Sequence, residues 1–168
     1  MKKIIIFFAF TLLLTIQSCG IYSFGGVTLD DRIKTVQIDY FANNALLVEP
    51  TLSQQMTLTL QDLFTSQTNL TSVNSGGDIH FEGEITGYRI NPMTATSAQT
   101  AAQNRLTISV NVRYFNKYEE DNEFERSFSF YYDYPANSQL TGSILEDAFS
   151  EILERITQDI FNASVAKW

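Results

Sequence analysis

Cysteine and histidine are nearly missing from this chain, with one of each in 168 residues. Cys19 therefore has no partner for an intramolecular disulfide. His80 is the one imidazole open to a metal site or a Ser-His-Asp triad, and no G-x-S-x-G elbow accompanies it. Phosphate-cradling loops are absent as well, because Gly25-Gly26 and Gly76-Gly77 are short and lack a G-K-[ST] ending. No internal repeat of a solenoid or propeller type is present. The longest uncharged apolar stretch, from Ile4 to Ile16, falls short of the about 20 residues that a membrane-spanning helix needs. Cations are scarce beside 19 acidic residues, which argues against nucleic acid and against adhesion to anionic lipid.

What the N-terminus does contain has the form of an export signal. Lys2 and Lys3 make a basic start, the apolar stretch follows, and Gln17 and Ser18 lead to Cys19. A large apolar residue three places before a cysteine and a small one just before it form a lipobox, and Ile16-Gln17-Ser18-Cys19 has that form. The expectation is a cleaved signal over residues 1–18 and a lipid on Cys19. The alternative is an ordinary secretory signal with a cysteine near its cut. Each buried methylene contributes about 0.8 kcal/mol, so several acyl chains anchor firmly where one would not. No other cofactor is expected. After cleavage the chain carries a formal balance of −10, since Lys2 and Lys3 leave with the signal.

Residues 19–33 lack a period and read as a tether that partly docks on the body; residues 34–168 are the size of one domain. Apolar content of 44%, with thirteen Phe and eight Tyr, argues against disorder. Val36, Ile38 and Tyr40 alternate with polar residues as in a half-buried strand, and Asn43-Asn44 reads as a turn. Thr51-Leu52-Ser53-Gln54 has capping-box form and predicts a helix start, with Leu52, Met56, Leu60, Leu63 and Phe64 on one stripe. Ile79, Phe81, Gly83 and Ile85 alternate with His80, Glu82, Glu84 and Thr86 in a strand bent at Gly83 or Gly87.

Residues 91–104 are small, polar and uncharged, and predict a long loop. Leu106, Ile108, Val110, Val112 and Tyr114 mark the clearest strand, Asp121-Asn122 a hairpin tip, and Phe124, Phe128, Phe130 and Tyr132 one face of the returning strand, interrupted by Arg126. A second capping box, Ser143-Ile144-Leu145-Glu146, opens a helix with Leu145, Ala148, Phe149, Ile152, Ile156 and Ile160 on its stripe. The order is β-α-β-β-β-α. It predicts an α+β fold in which both helices cover one face of a four-stranded, mostly antiparallel sheet.

His80, Glu82 and Glu84 could in principle ligate a metal, but residues at i, i+2 and i+4 are equally what the solvated face of a strand presents. As a glycosidase pair the two glutamates would point in parallel and not flank a bond. No catalytic constellation emerges, so binding or assembly is the better class of function.

The segments Cys19-Gly20-Ile21-Tyr22-Ser23-Phe24, Pro50-Thr51-Leu52-Ser53-Gln54-Gln55, Asp78-Ile79-His80-Phe81-Glu82-Gly83-Glu84-Ile85-Thr86-Gly87-Tyr88, Asn104-Arg105-Leu106-Thr107-Ile108 and Asp159-Ile160-Phe161-Asn162 resemble the LptE family of lipopolysaccharide-assembly lipoproteins. The resemblance implies two helices on a four-stranded sheet and no enzymatic activity. It also implies an outer-membrane location and a role as plug and assembly partner of the LptD β-barrel, aiding lipopolysaccharide delivery to the outer leaflet. Some members are thought to contact lipopolysaccharide phosphates through basic side chains; here Arg89, Arg105 and Arg113 are the candidates, set against the plain reading of solvated surface arginines. In the uncharged loop, Thr96, Gln99 and Gln103 are candidate contacts to a polar barrel lumen. The second reading is an outer-membrane lipoprotein that binds a small ligand or a periplasmic partner with no barrel involved.

Overall fold

The computed structural model describes residues 29–47, 49–93 and 102–165. Within them, β1 (Thr35–Ile38) and β2 (Ala42–Asn43) precede helix α1 (Leu52–Gln67), and β3 (Thr71–Val73), β4 (Ile79–Met93), β5 (Gln103–Asn116) and β6 (Phe124–Pro135) precede helix α2 (Ser143–Val165). The strand order is β3-β1-β4-β5-β6, with β2 beside β4. β1 lies parallel to both β3 and β4, β2 lies parallel to β4, and the long β4-β5-β6 meander is antiparallel.

The four expected strands are all present, and two short ones join them, so the sheet is mixed and has six strands. Asn43 belongs to β2 and not to a turn, because Ala42 and Asn43 pair with Glu84 and Ile85 on the edge that β1 leaves free. β3 reads too short and too polar to be seen from alternation. The expected loop over residues 91–104 shortens at both ends: Asn91, Pro92 and Met93 pair with Arg105, Asn104 and Gln103. Cross-strand pairing outweighs the weak local preference of these small polar residues. The bend in β4 is a bulge between Ile85 and Gly87, which lets Thr86 out of the ladder and reverses the side-chain parity beyond it.

Each strand buries one parity. Val36, Ile38, Ile79, Phe81, Ile85, Leu106, Ile108, Val110, Val112 and Tyr114 are buried, and both helices cover this one side. Leu52, Met56, Leu60 and Phe64, one turn apart, form the buried stripe of α1. Phe64 ties the layers together, its ring 4.8 Å from Phe81 on β4 and 5.0 Å from Phe161 on α2. Burying such a side chain contributes about 2 to 3 kcal/mol. On α2 the expected stripe is buried from Ala148 to Ile160, with Leu145 half-buried at its start. Tyr114 is sealed in this layer; burial pushes its phenol up to about 12, against a hydrogen bond from the Asn116 amide.

The first capping box does not form. Thr51 has a helical backbone, and its hydroxyl turns to Glu49 at 3.5 Å instead of to the helix N–H groups. α1 nevertheless begins at Leu52, since its buried stripe and not its cap decides the start. At the other end Thr68 donates both its backbone N–H and its hydroxyl to the Phe64 carbonyl. The end of the expected tether is docked: Ile33 is buried, and Arg32, paired with Asp30 at 2.7 Å, lies over the Tyr118 ring. Among the described residues no helix is long and apolar enough to cross a membrane.

Candidate functional site

The sheet face opposite the helices carries the polar parity of the same strands. Near the β1 end, Asp39, His80, Glu82 and Arg113 form a connected cluster. His80 Nε2 lies 3.0 Å from an Asp39 carboxylate oxygen and 4.0 Å from Glu82, and Arg113 donates two N–H groups to Glu82 at 3.1 and 2.7 Å. The Gln37 amide donates to the other Asp39 oxygen at 2.8 Å. Although partial burial opposes it, hydrogen bonds from Gln37 and His80 hold the Asp39 carboxyl below the usual carboxylate range.

Asp39, His80 and Glu82 each offer one ligand atom within 4.8 Å of the others, so the set could geometrically surround a cation. Glu84, part of the trio expected from sequence, is elsewhere, accepting a hydrogen bond from the Asn44 amide. Arg113 and Gln37 already engage the outer oxygens of both carboxylates in the trio. The cluster is a compensated polar network across three strands.

At the other end of the face, Arg105 makes a bidentate pair with Asp133, both bonds at 2.7 Å, and its guanidinium lies 3.6 Å over the centre of the Tyr131 ring. Between the two clusters run Ser109, Ser129, Asn111 and Ser127, linked by hydroxyl and amide hydrogen bonds, with Asn111 also donating to Glu125 at 2.9 Å. The result is a polar surface in which most charge is neutralised locally.

All three arginines singled out from sequence sit on this face. Arg105 and Arg113 are engaged by Asp133 and Glu82. Arg89, exposed and aligned with Thr107 of β5, has no ion-pair partner among the described residues. Gln103, half-buried, is the first residue of β5 and pairs with Met93 and Pro135 rather than standing on a loop. Thr96, Gln99 and Cys19 lie outside the described residues. Asp39, Asp133 and Tyr131 escaped the sequence reading. Their signal was cross-strand register, which alternation within one strand does not reveal.

The LptE model, described as lipopolysaccharide-assembly, matches residues 33–164, nearly all of the folded body. The chain belongs to the LptE family. That family consists of lipopolysaccharide-assembly lipoproteins associated with the outer membrane. No curated protein matches the chain in sequence. Among solved structures, a hypothetical protein of Chlamydia trachomatis is similar at 9% identity, over 80% of this chain and 99% of that one, with a TM-score of 0.53. A minor lipoprotein of Acinetobacter baumannii is similar at 10% identity, over 79% and 93%, with a TM-score of 0.49. An uncharacterised lipoprotein B of Nitrosomonas europaea is similar at 13% identity, over 79% and 86%, with a TM-score of 0.48. The Chlamydia likeness speaks for the fold alone.

Proposed function

We propose that this LptE-family chain is the lipoprotein subunit of a lipopolysaccharide translocon, seated in the lumen of an LptD-type outer-membrane β-barrel and supporting its assembly and the delivery of lipopolysaccharide to the outer leaflet. Residues 1–18 are removed, Cys19 carries the lipid, residues 19–33 form the tether, and residues 34–168 form the body. The observation that carries the reading is the family match over residues 33–164. The open sheet face supports it: lumen walls of outer-membrane barrels are polar, and a broad polar surface whose charges are mostly neutralised locally meets such a wall with little unpaired charge. Of the three candidate arginines, Arg89 is the one to reach a lipopolysaccharide phosphate, because Arg105 and Arg113 would first have to leave carboxylates.

The test is copurification from membranes in mild detergent, where a barrel subunit is expected at near equal amount. Photocrosslinkers at Thr96, Gln99, Gln103 and the open-face Thr107 should capture it in cells. Recovery of the lipoprotein alone, with crosslinks to no barrel from any of these sites, would refute the plug role. Replacing Cys19 by Ala should abolish palmitate labelling while leaving the body folded; continued labelling would refute the anchor.

A further inference from the structure

β6 closes the sheet on the side away from β5, and among the described residues no strand pairs with its outer edge. Its twelve residues pair with β5 without a register shift. The backbone direction follows from the ladder. Asn44 N–H donates to the Ile85 carbonyl and Asp39 N–H to that of Phe81, so these β4 residues turn their backbone groups away from β5. Their partners Val110 and Tyr114 then turn toward β6. The Ser129 hydroxyl reaching the Ile108 carbonyl agrees with that alternation. Phe128 and Phe130 therefore bond to β5, while Ser127, Ser129 and Tyr131 direct their N–H and C=O groups outward.

Edge strands of this length are usually guarded by a lysine, a bulge, a proline or an inward charge. β6 carries one such guard toward each end, the inward-parity Arg126, which pairs with Val112 and lies over the Phe124 ring, and Pro135; from Ser127 to Tyr132 it has none. Beside the same edge lies a groove of 260 Å³ between β6 and α2, lined by Phe130, Glu151, Glu154, Arg155 and Gln158. Strand addition combines main-chain hydrogen bonds for affinity with pockets for alternate side chains for specificity. A strand laid along β6 would send every second side chain into this groove, where two glutamates outnumber one arginine.

We propose that the β6 edge is a strand-addition site for an extended segment of a partner protein, with a lysine or arginine at the position that enters the Phe130 groove. A second copy of this chain is a poor occupant. Antiparallel pairing about Ser129 would set Glu125 against Asp133 at both ends, and both bodies are acidic. The proposal does not require a barrel partner, since a closed barrel has no edge to offer and the segment must come from an extended strand outside its wall.

The test uses the full chain in detergent and two labelled peptides of alternating valine and threonine, one with a central lysine and one with a central glutamate. Fluorescence anisotropy should show the lysine peptide binding at least about tenfold tighter. Ser127→Pro removes an outward N–H but no ladder bond, and should abolish binding where Ser127→Ala does not. Glu154→Lys should reverse the preference between the peptides. An N-methylated lysine peptide, which lacks edge donors, should fail to bind whether or not the proline variant folds. Equal affinity for both charged peptides, binding of the methylated peptide, or a dimer that Ser127→Pro dissolves would each overturn the assignment. None of these outcomes bears on copurification with a barrel.

Discussion

On the helix-covered side, β5 presents Leu106, Ile108, Val110, Val112 and Tyr114, all buried; between them, on the open side, stand Thr107, Ser109, Asn111 and Arg113. The backbone is the same and only the parity differs. The covered side is held by dispersion and the removal of apolar surface from water, so its residues depend on shape and tolerate no charge. The open side is held by hydrogen bonds and ion pairs in contact with solvent, each of small net worth, so single changes there should be mild. The apolar packing lies on one side of the sheet and the solvent-facing polar network on the other.

The sharpest contrast is between adjacent residues. Val110→Asp, which buries an unpaired carboxylate, should cost about 4 kcal/mol or more and abolish cooperative unfolding. Asn111→Asp loses a bond to Glu125 in solvent and should cost about 1 kcal/mol. Thermal melts of similar midpoint would show that the two sides do not differ as argued.

A slightly smaller effect is expected where the covered side is tightest. A methyl group at Gly83 would come within 2.8 Å of the Asn111 carbonyl oxygen and meet the buried ring of Phe41. Gly83→Ala should destabilise by about 2 kcal/mol, measured by urea unfolding. Phe41→Leu in the same chain should recover part of the loss; no recovery would place the strain elsewhere.

Asp78 stands at the boundary between the two regimes. Its carboxylate accepts hydrogen bonds from the backbone N–H groups of Lys34 and Thr35 and from the Thr35 hydroxyl, which joins β1 to the start of β4. The Lys34 N–H and the Thr35 hydroxyl, outweighing a small cost of burial, hold its carboxyl below the ordinary range. A carboxyl with a depressed folded value contributes stability that is complete above its unfolded value, near pH 4, and is lost as pH falls through the folded one. The wild type should thus lose stability below about pH 4 more steeply than Asp78→Asn. Parallel pH profiles would remove Asp78 from the account.

The smallest effect belongs to the open side. Arg113→Ala, which breaks an exposed pair with Glu82, should lower the melting temperature only slightly, and less at high salt. A larger loss would mean that the Asp39–His80–Glu82–Arg113 cluster acts as a cooperative unit.

Local alternation and helical spacing were sufficient for the long elements, because a half-buried strand or helix writes its period into its own residues. The parity of β5 and β6, the buried stripes of both helices and the layer order are legible that way, whereas the start of α1 was read from a capping box that does not form. β2 and β3 were not legible, since two- and three-residue strands carry no period and exist only because a neighbouring edge accepts them. Residues 91–93 and 103–104 likewise read as loop until cross-strand pairing held them extended.

The same division runs through the candidate site. Composition determined the acidic character, the N-terminal pattern the expectation of an export signal with Cys19, and five short segments along the chain the family resemblance; one-dimensional order is enough for these. That Arg89, Arg105 and Arg113 share a face, that two of them are bound by Asp133 and Glu82, and that among the described residues no strand pairs with the outer edge of β6 were decided only in three dimensions. Register between strands joins residues some thirty positions apart. No local physical preference encodes that choice, which emerges from packing the whole core at once.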